Sequence, residues 1–229
     1  VIVGYTKYIH LIENRVSAGT QVVAYPMGSE VERAMYAIRE ACRGRNTVVV
    51  SSGDPGIYGM AGLILELAES MNVDLDIKII PGISAANAVA ARLGAPLMCD
   101  YTLISLSDLL IPWEKIENRL RTVAASDMAI VLYNLRSSSR TKPWENAVKI
   151  LSEYRSKNTA VGIVRNAYRP DESIRITDIS GLKRETVDMD TTVIIGSPQT
   201  RVGKYGMVTQ RGYPVPRGKG YGPPYPQRT

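Results

Sequence analysis

The chain has 229 residues, 45% of them hydrophobic, and carries 28 Lys and Arg against 22 Asp and Glu for a net charge of +6. That composition excludes a disordered chain and suffices for one large domain or two lobes. No apolar run approaches the roughly 20 residues of a membrane-spanning helix, and the first residues lack the order of a secretion signal, so the expectation is a soluble, cytoplasmic protein with no membrane partner.

Val1 to Gly4 reads as the end of a strand entering a loop. Beyond it, β-branched runs alternate with helical periods: a strand at Val22–Tyr25, a helix over Glu30–Cys42, a strand over 47–51, a helix over 57–71, a strand over 75–80 and an alanine-rich helix over Ala85–Leu93 that Gly94 ends. Alternation of this kind predicts an α/β lobe with a mostly parallel sheet over 1–96. A second α/β lobe is predicted over 97–213, with strands at 101–106, 128–133, 159–165, Ser173–Asp178 and Thr191–Ile195 and helices at Trp113–Ala125 and Lys142–Tyr154. Several of these strands are close enough in sequence to pair antiparallel, giving a mixed sheet. Residues 214–229, rich in Gly, Pro, Tyr and basic side chains, are predicted to form a flexible tail.

The basic balance points to an anionic partner, but the charge is spread along the chain and names none. Cys42 and Cys99 fit no metal-ligand spacing and no disulfide framework, and read as reduced, partly buried thiols; no metal site is expected. His10 reads as a surface helix residue. The dinucleotide G-x-G-x-x-G and phosphate G-x-x-x-x-G-K-[ST] fingerprints are both absent.

Two strand-to-helix turns carry the strongest functional signal. Val48-Val49-Val50 empties through Ser51-Ser52-Gly53-Asp54-Pro55-Gly56-Ile57-Tyr58-Gly59, and a second turn follows at Pro81-Gly82-Ile83-Ser84-Ala85. Ligands of open α/β sheets gather at such carboxyl ends, where glycines admit close approach to the backbone. Asp54 is suited to accept hydrogen bonds from a ligand amine. A purely structural reading stands beside this one: Asp54-Pro55-Gly56 as a tight turn with Asp54 capping a helix, and Ser84 as a plain N-cap.

Together these two turns resemble the paired signature of the tetrapyrrole methylase superfamily. Ile104-Ser105-Leu106-Ser107-Asp108-Leu109-Leu110-Ile111-Pro112-Trp113 resembles the segment that marks the precorrin-3B C17-methyltransferases within it, and the resemblance extends from Val1 to about Tyr213. It implies a two-lobed fold that binds S-adenosylmethionine, with donor contacts at Ser52, Gly53, Asp54, Ile57, Ser84, Ala85, Asn134 and Ala167. It implies methylation of a ring carbon of a tetrapyrrole with contraction of the macrocycle, in cobalamin biosynthesis, by a homodimer. Proton movement during contraction makes Asp108, Ser105 and Tyr8 the catalytic candidates. Arg136 and Arg140, just after the Tyr133-Asn134 strand end, are candidates for the substrate's carboxylates, with a solvated charge run flanking Ser137 to Ser139 as the alternative. Asp108 likewise reads as an N-cap or surface carboxylate. The family pattern also places a first strand and a Gly-Pro-Gly loop ahead of Val1.

Two other functions remain open on sequence grounds. A sibling methylase acting at another ring carbon would share the donor turns. A nucleic-acid interaction protein would use the Tyr- and Arg-bearing tail, but no nucleic-acid motif is present and the basic residues gather on no single element.

Overall fold

In the computed structural model, which describes residues 1–214, the chain forms two units, Val1–Ala85 and the residues from Ala86 onward. The first is built on a parallel sheet. Ile2–Tyr5 (β1) is the central strand of that sheet, with Val3 fully buried. It pairs in parallel with Val22–Tyr25 (β2) on one side and Val48–Val50 (β3) on the other, in the order β2-β1-β3.

A short helix, Thr6–His10 (α1), stands where the sequence suggests only a turn. It buries Ile9 against Gly4, where a Cβ would lie 2.8 Å from Ile9 Cδ1 and force that side chain to shift. His10 is exposed at its end beside Glu13.

Glu30–Cys42 (α2) follows its anticipated bounds, with Glu30 and Glu32 favourably placed in the first turn and Ala34, Ala37 and Ile38 buried at helical spacing. Ala61–Ser70 (α3) starts four residues later than the periodicity predicts. Tyr58 has φ 54, and a Cβ on Gly59 would come within 2.6 Å of the Pro55 carbonyl oxygen, so this stretch is held as a turn. Asp54 therefore cannot cap the helix.

Segment 75–80 keeps the alternation of a strand, with Leu75 and Ile77 half-buried between exposed Asp74, Asp76 and Lys78. It nevertheless pairs with no strand among the described residues, because a cavity separates it from β3.

The second unit opens with Ala85–Leu93 (α4) and Gly94–Ala95 (β4). Tyr101–Ser105 (β5), Trp113–Ala125 (α5), Ala129–Tyr133 (β6), Lys142–Tyr154 (α6), Ala160–Arg165 (β7), Ser173–Asp178 (β8) and Thr191–Ile195 (β9) follow the predicted alternation. Their five-stranded sheet runs β5-β6-β9-β7-β8, parallel only between β5 and β6, hence mixed as expected. The helices α5 and α6 bury Leu120, Trp144 and Leu151 with Ile130, Leu132 and Ile195 of the sheet. Val89 and Leu93 of α4 pack with Val131, Val164 and Ile194, and a Cβ on Gly162 would lie 2.3 Å from Leu93 Cδ1, so that glycine is what admits the helix.

A small sheet, Thr200–Gly203 (β10), Gly206–Thr209 (β11) and β4, escaped the sequence reading because β4 has two residues and no periodicity. Arg155, buried after α6, donates to the carbonyls of Val123 at 3.0 Å and Met128 at 2.7 Å, and its burial pulls its pKa below the ordinary arginine value.

Cys42 and Cys99 are free thiols but exposed, not partly buried, since neither projects into a sheet–helix interface. No helix among the described residues is long and apolar enough to cross a membrane. Of the flexible tail expected over 214–229, residues 215–229 lie outside the described residues.

Candidate active site

Asp54 organises the glycine-rich turns of the first unit. Its Oδ1 accepts from the Gly56 amide at 2.8 Å, and its Oδ2 accepts from the Gly82 amide at 3.0 Å. One carboxylate thus ties the two glycine-rich turns together, which neither turn could reveal alone.

The approach is close enough to demand glycine: a Cβ on Gly82 would fall 2.2 Å from the Gly53 carbonyl oxygen. Gly53 has φ +73, and its open side looks onto the Ile83 carbonyl and the Ala85 amide at ordinary contact distance. Gly53, Asp54, Ser84 and Ala85 are therefore brought together, with Ser84 buried and Gly53 exposed. Ile57 closes the first turn through its amide to the Asp54 carbonyl at 3.2 Å, and Ser52 sits beside Gly53, half-buried. Ser51 Oγ accepts from the Met60 amide at 3.2 Å and anchors the far end of that loop. Tyr8 stands on α1, edge-on to Tyr5 with ring centroids 5.1 Å apart.

The second unit assembles four of the sequence candidates into one hydrogen-bonded group. Asn134 follows β6 with φ 53, and its Nδ2 donates to Ser105 Oγ at 2.9 Å. Ser105 Oγ also accepts from the Ser107 amide at 3.2 Å. Arg140 donates to the Leu106 carbonyl and to the Asn134 carbonyl, both at 2.7 Å, and its Nε lies 3.6 Å from Asp108 Oδ1. The guanidinium is only 10% exposed and fastens the ends of β5 and β6 to each other. Arg136, by contrast, is exposed and forms no ion pair among the described residues.

Strand direction places Ala167 on the same edge. β5 and β6 are parallel, and β7 is antiparallel to β9, which is antiparallel to β6, so β5, β6 and β7 all end together. Asn166 and Tyr168, either side of Ala167, have φ 51 and 60, a left-handed turn that exposes backbone at the strand end. Two positioning groups were missed from sequence. Tyr133 Oη accepts from the Ala86 amide at 2.6 Å in the first turn of α4, and Asp188 accepts from Arg165 Nε at 2.6 Å below the Asn166–Tyr168 turn. Neither carries a motif of its own.

Burial pushes the Asp188 carboxyl up, but hydrogen bonds from Arg165, the Thr191 hydroxyl and the Asp190 amide outweigh it and hold the pKa below the ordinary carboxylate value. A depressed carboxylate contributes stability that is complete above its unfolded pKa of about 4 and is lost as pH falls through the folded value. Asp188→Asn is accordingly expected to flatten the acid side of the stability profile, and urea unfolding between pH 5 and 2.5 reads this directly. An unchanged acid slope would remove Asp188 from the support of this turn.

The sequence profile of the Tetrapyrrole (Corrin/Porphyrin) Methylases matches residues 5–183. The chain is 42% identical over 213 residues to a probable cobalt-factor III C(17)-methyltransferase of Salmonella typhimurium, covering 93% of this chain and 88% of that relative. It is 40% identical over 217 residues to the cobalt-factor III methyltransferase of Priestia megaterium, of which it spans only 40% while 93% of this chain is covered. Among solved structures, that of the methyltransferase CobJ matches with a TM-score of 0.81 and 36% identity, over 91% of this chain and 87% of that one. The cobalt precorrin-4 methyltransferase CbiF, at 23% identity and a TM-score of 0.66 over 85% of this chain and 83% of that one, shares the fold. The family match thus joins the two glycine turns, tied by Asp54, to the β5–β6–β7 edge in a single sequence pattern, and the chain belongs to the tetrapyrrole (corrin/porphyrin) methylase family.

Proposed function

We propose that this chain methylates C17 of a cobalamin-pathway tetrapyrrole, cobalt-factor III or precorrin-3B, with contraction of the ring. The observation that carries this reading is the 42% identity to the Salmonella typhimurium relative over 93% of this chain. S-adenosylmethionine supplies an electrophilic methyl group on a sulfonium. The close backbone approach at Gly82 and the left-handed Gly53 (φ +73) favour a ligand held mainly through main-chain contacts. Ser52, Gly53, Asp54, Ile57, Ser84, Ala85, Asn134 and Ala167 would hold the donor.

In-line displacement at carbon leaves the enamine carbon of the substrate bonded to the methyl and releases S-adenosylhomocysteine. It demands alignment above all, worth about 7–11 kcal/mol when the geometry is good. Fixing the β5 and β6 ends through Arg140 and Asn134 serves that alignment. Ser105 accepts two N–H hydrogen bonds, which direct its own hydroxyl proton elsewhere, so it is suited to give that proton to a substrate oxygen during contraction. Asp108 and Tyr8 are the further candidates for proton transfer, and exposed Arg136 for a substrate carboxylate. Arg140 acts by holding the strand ends beside that contact. The enzyme is proposed to work as a cytoplasmic homodimer.

The test is direct. Incubation with methyl-labelled donor and either cobalt-factor III or precorrin-3B, followed by carbon NMR of the product, is expected to place the label on C17. Label on another ring carbon would assign the chain to a sibling activity, and no transfer to either substrate would remove the reading.

A further inference from the structure

Beyond β7 the chain reverses through Asn166-Ala167-Tyr168, and the residues on both sides of Ala167 are left-handed. Asparagine visits that region readily. For a bulky side chain it is a strained conformation that persists only where the surroundings hold it. Tyr168, at φ 60 with its side chain exposed, therefore needs a partner that fixes it.

Glu172 is that partner. Its Oε1 accepts from the Tyr168 amide at 2.9 Å, and its own amide donates to the Arg169 carbonyl at 3.1 Å, closing a ring over residues 168–172. The same carboxylate receives Arg92 of α4 as a fork, Nε to Oε1 at 2.9 Å and Nη2 to Oε2 at 2.7 Å. The Arg92 guanidinium also lies over the Tyr168 ring, 5.1 Å from its centroid. Buried Val89 and Leu93 fix α4 against the sheet, so the clasp ties the turn to a rigid element. The hydrogen bond from the Tyr168 amide, ahead of the pairing with Arg92, holds the Glu172 carboxyl below the ordinary carboxylate range and keeps it ionised.

Two features set this clasp apart from an ordinary surface ion pair. The Arg92 and Glu172 side chains remain 38% and 17% exposed, and pairs of that kind add little to global stability. What the clasp encloses is also unsatisfied: Ala167, half-buried, makes no backbone–backbone hydrogen bond among the described residues. A backbone amide and carbonyl left unpaired at a strand end are groups that a ligand can satisfy.

We propose that Glu172 is a positioning residue for the methyl donor: through the Tyr168 amide, and braced by Arg92, it fixes the turn that presents the Ala167 backbone to S-adenosylmethionine. The inference rests on the donor contact proposed at Ala167. Glu172 and Arg92 act through the turn and not by touching the donor. Without them the turn relaxes, and the apparent affinity falls with the fraction of chains that keep it formed.

The probe is S-adenosylhomocysteine, titrated calorimetrically into the 229-residue chain well below its melting temperature. Glu172→Ala is expected to bind it about tenfold more weakly, as a turn formed about a tenth of the time would. Its melting temperature should stay within about 4 °C of the parent's, the most that an exposed pair contributes in a chain of this size. The Tyr168 amide should exchange faster while β7 exchanges as before. Glu172→Gln, which keeps an acceptor for the Tyr168 amide but turns a donor toward Arg92, should lose only about threefold. Glu153→Ala, which breaks a comparable pair with Arg121 at 2.8 Å between α6 and α5, should bind as the parent does. Parental affinity in a Glu172→Ala protein with normal β7 exchange, or an equal loss in Glu153→Ala, would overturn the inference and leave the donor reading standing. A melting fall beyond the stated range in both Glu172 variants would reduce the clasp to a structural prop and overturn it too. No binding by the parental chain would overturn the donor reading, and the inference with it.

Discussion

Gly82→Ala is expected to lower the affinity for S-adenosylhomocysteine at least tenfold. The added Cβ would fall 2.2 Å from the Gly53 carbonyl oxygen and 3.1 Å from its carbon, and both are backbone atoms that cannot swing aside as a side chain end would. Overpacking of this kind costs about 1–3 kcal/mol, and relief requires the two turns to part. Parting breaks the hydrogen bond from the Gly82 amide to Asp54 Oδ2 and so releases the link between turns on which donor binding is proposed to rest. Gly62→Ala is the matched control. Its Cβ meets nothing within 4 Å, it lies in α3, and replacing a helical glycine with alanine gains about 0.4–1 kcal/mol. Calorimetry on both variants, with exchange in β1 reporting the fold, decides the matter: wild-type affinity in a folded Gly82→Ala protein would place the donor elsewhere.

Asp54 shows how far the sequence carries and where it stops. Its turn geometry is legible in Asp54-Pro55-Gly56, and the Asp54 Oδ1 contact to the Gly56 amide is the local bond such a tripeptide makes. The second bond, to Gly82, joins residues 28 apart, and nothing in the spacing of either turn specifies it. Elements with strong period, such as Glu30–Cys42, Trp113–Ala125 and Lys142–Tyr154, could be bounded from sequence because their buried faces recur at helical spacing. Thr6–His10 and Gly94–Ala95 are too short to show a period and are fixed by partners outside themselves, Ile9 by Gly4 in the preceding strand and the β4 backbone by the distant Met207. The strand read over 75–80 does not form, although Leu75 and Ile77 are half-buried between exposed neighbours as they would be in one. Pairing, however, depends on what stands beside a segment, and here that is a cavity.

Arg140 is where tertiary context changes the expectation most, and the largest stability effect follows from it. From its place after the Tyr133-Asn134 strand end it reads as a carboxylate contact at the mouth of the site, alongside Arg136. In the structure its guanidinium is spent inward, donating to the Leu106 and Asn134 carbonyls at 2.7 Å each, with Asp108 3.6 Å away. Arg140→Met leaves both carbonyls without that donor and an acidic side chain without its counter-ion. At about 1–3 kcal/mol for each part-buried acceptor left unmade, the loss should reach roughly 2–5 kcal/mol. With roughly 2–4 °C lost per kcal/mol in a chain of this size, that is a fall of about 4–20 °C in the melting temperature of the second unit. Arg140→Lys should fall between, because a single ammonium lacks the fork that spans two carbonyls. Arg136→Ala, which removes an exposed side chain, should leave melting within about 1 °C and instead weaken tetrapyrrole binding while leaving S-adenosylhomocysteine affinity unchanged. Calorimetric melting and ligand titration on the three variants separate the two roles. Equal destabilisation by Arg136→Ala and Arg140→Met would show that the hydrogen bonds of Arg140 do not hold the β5 and β6 ends, and the proposed support for Asn134 would fall with them.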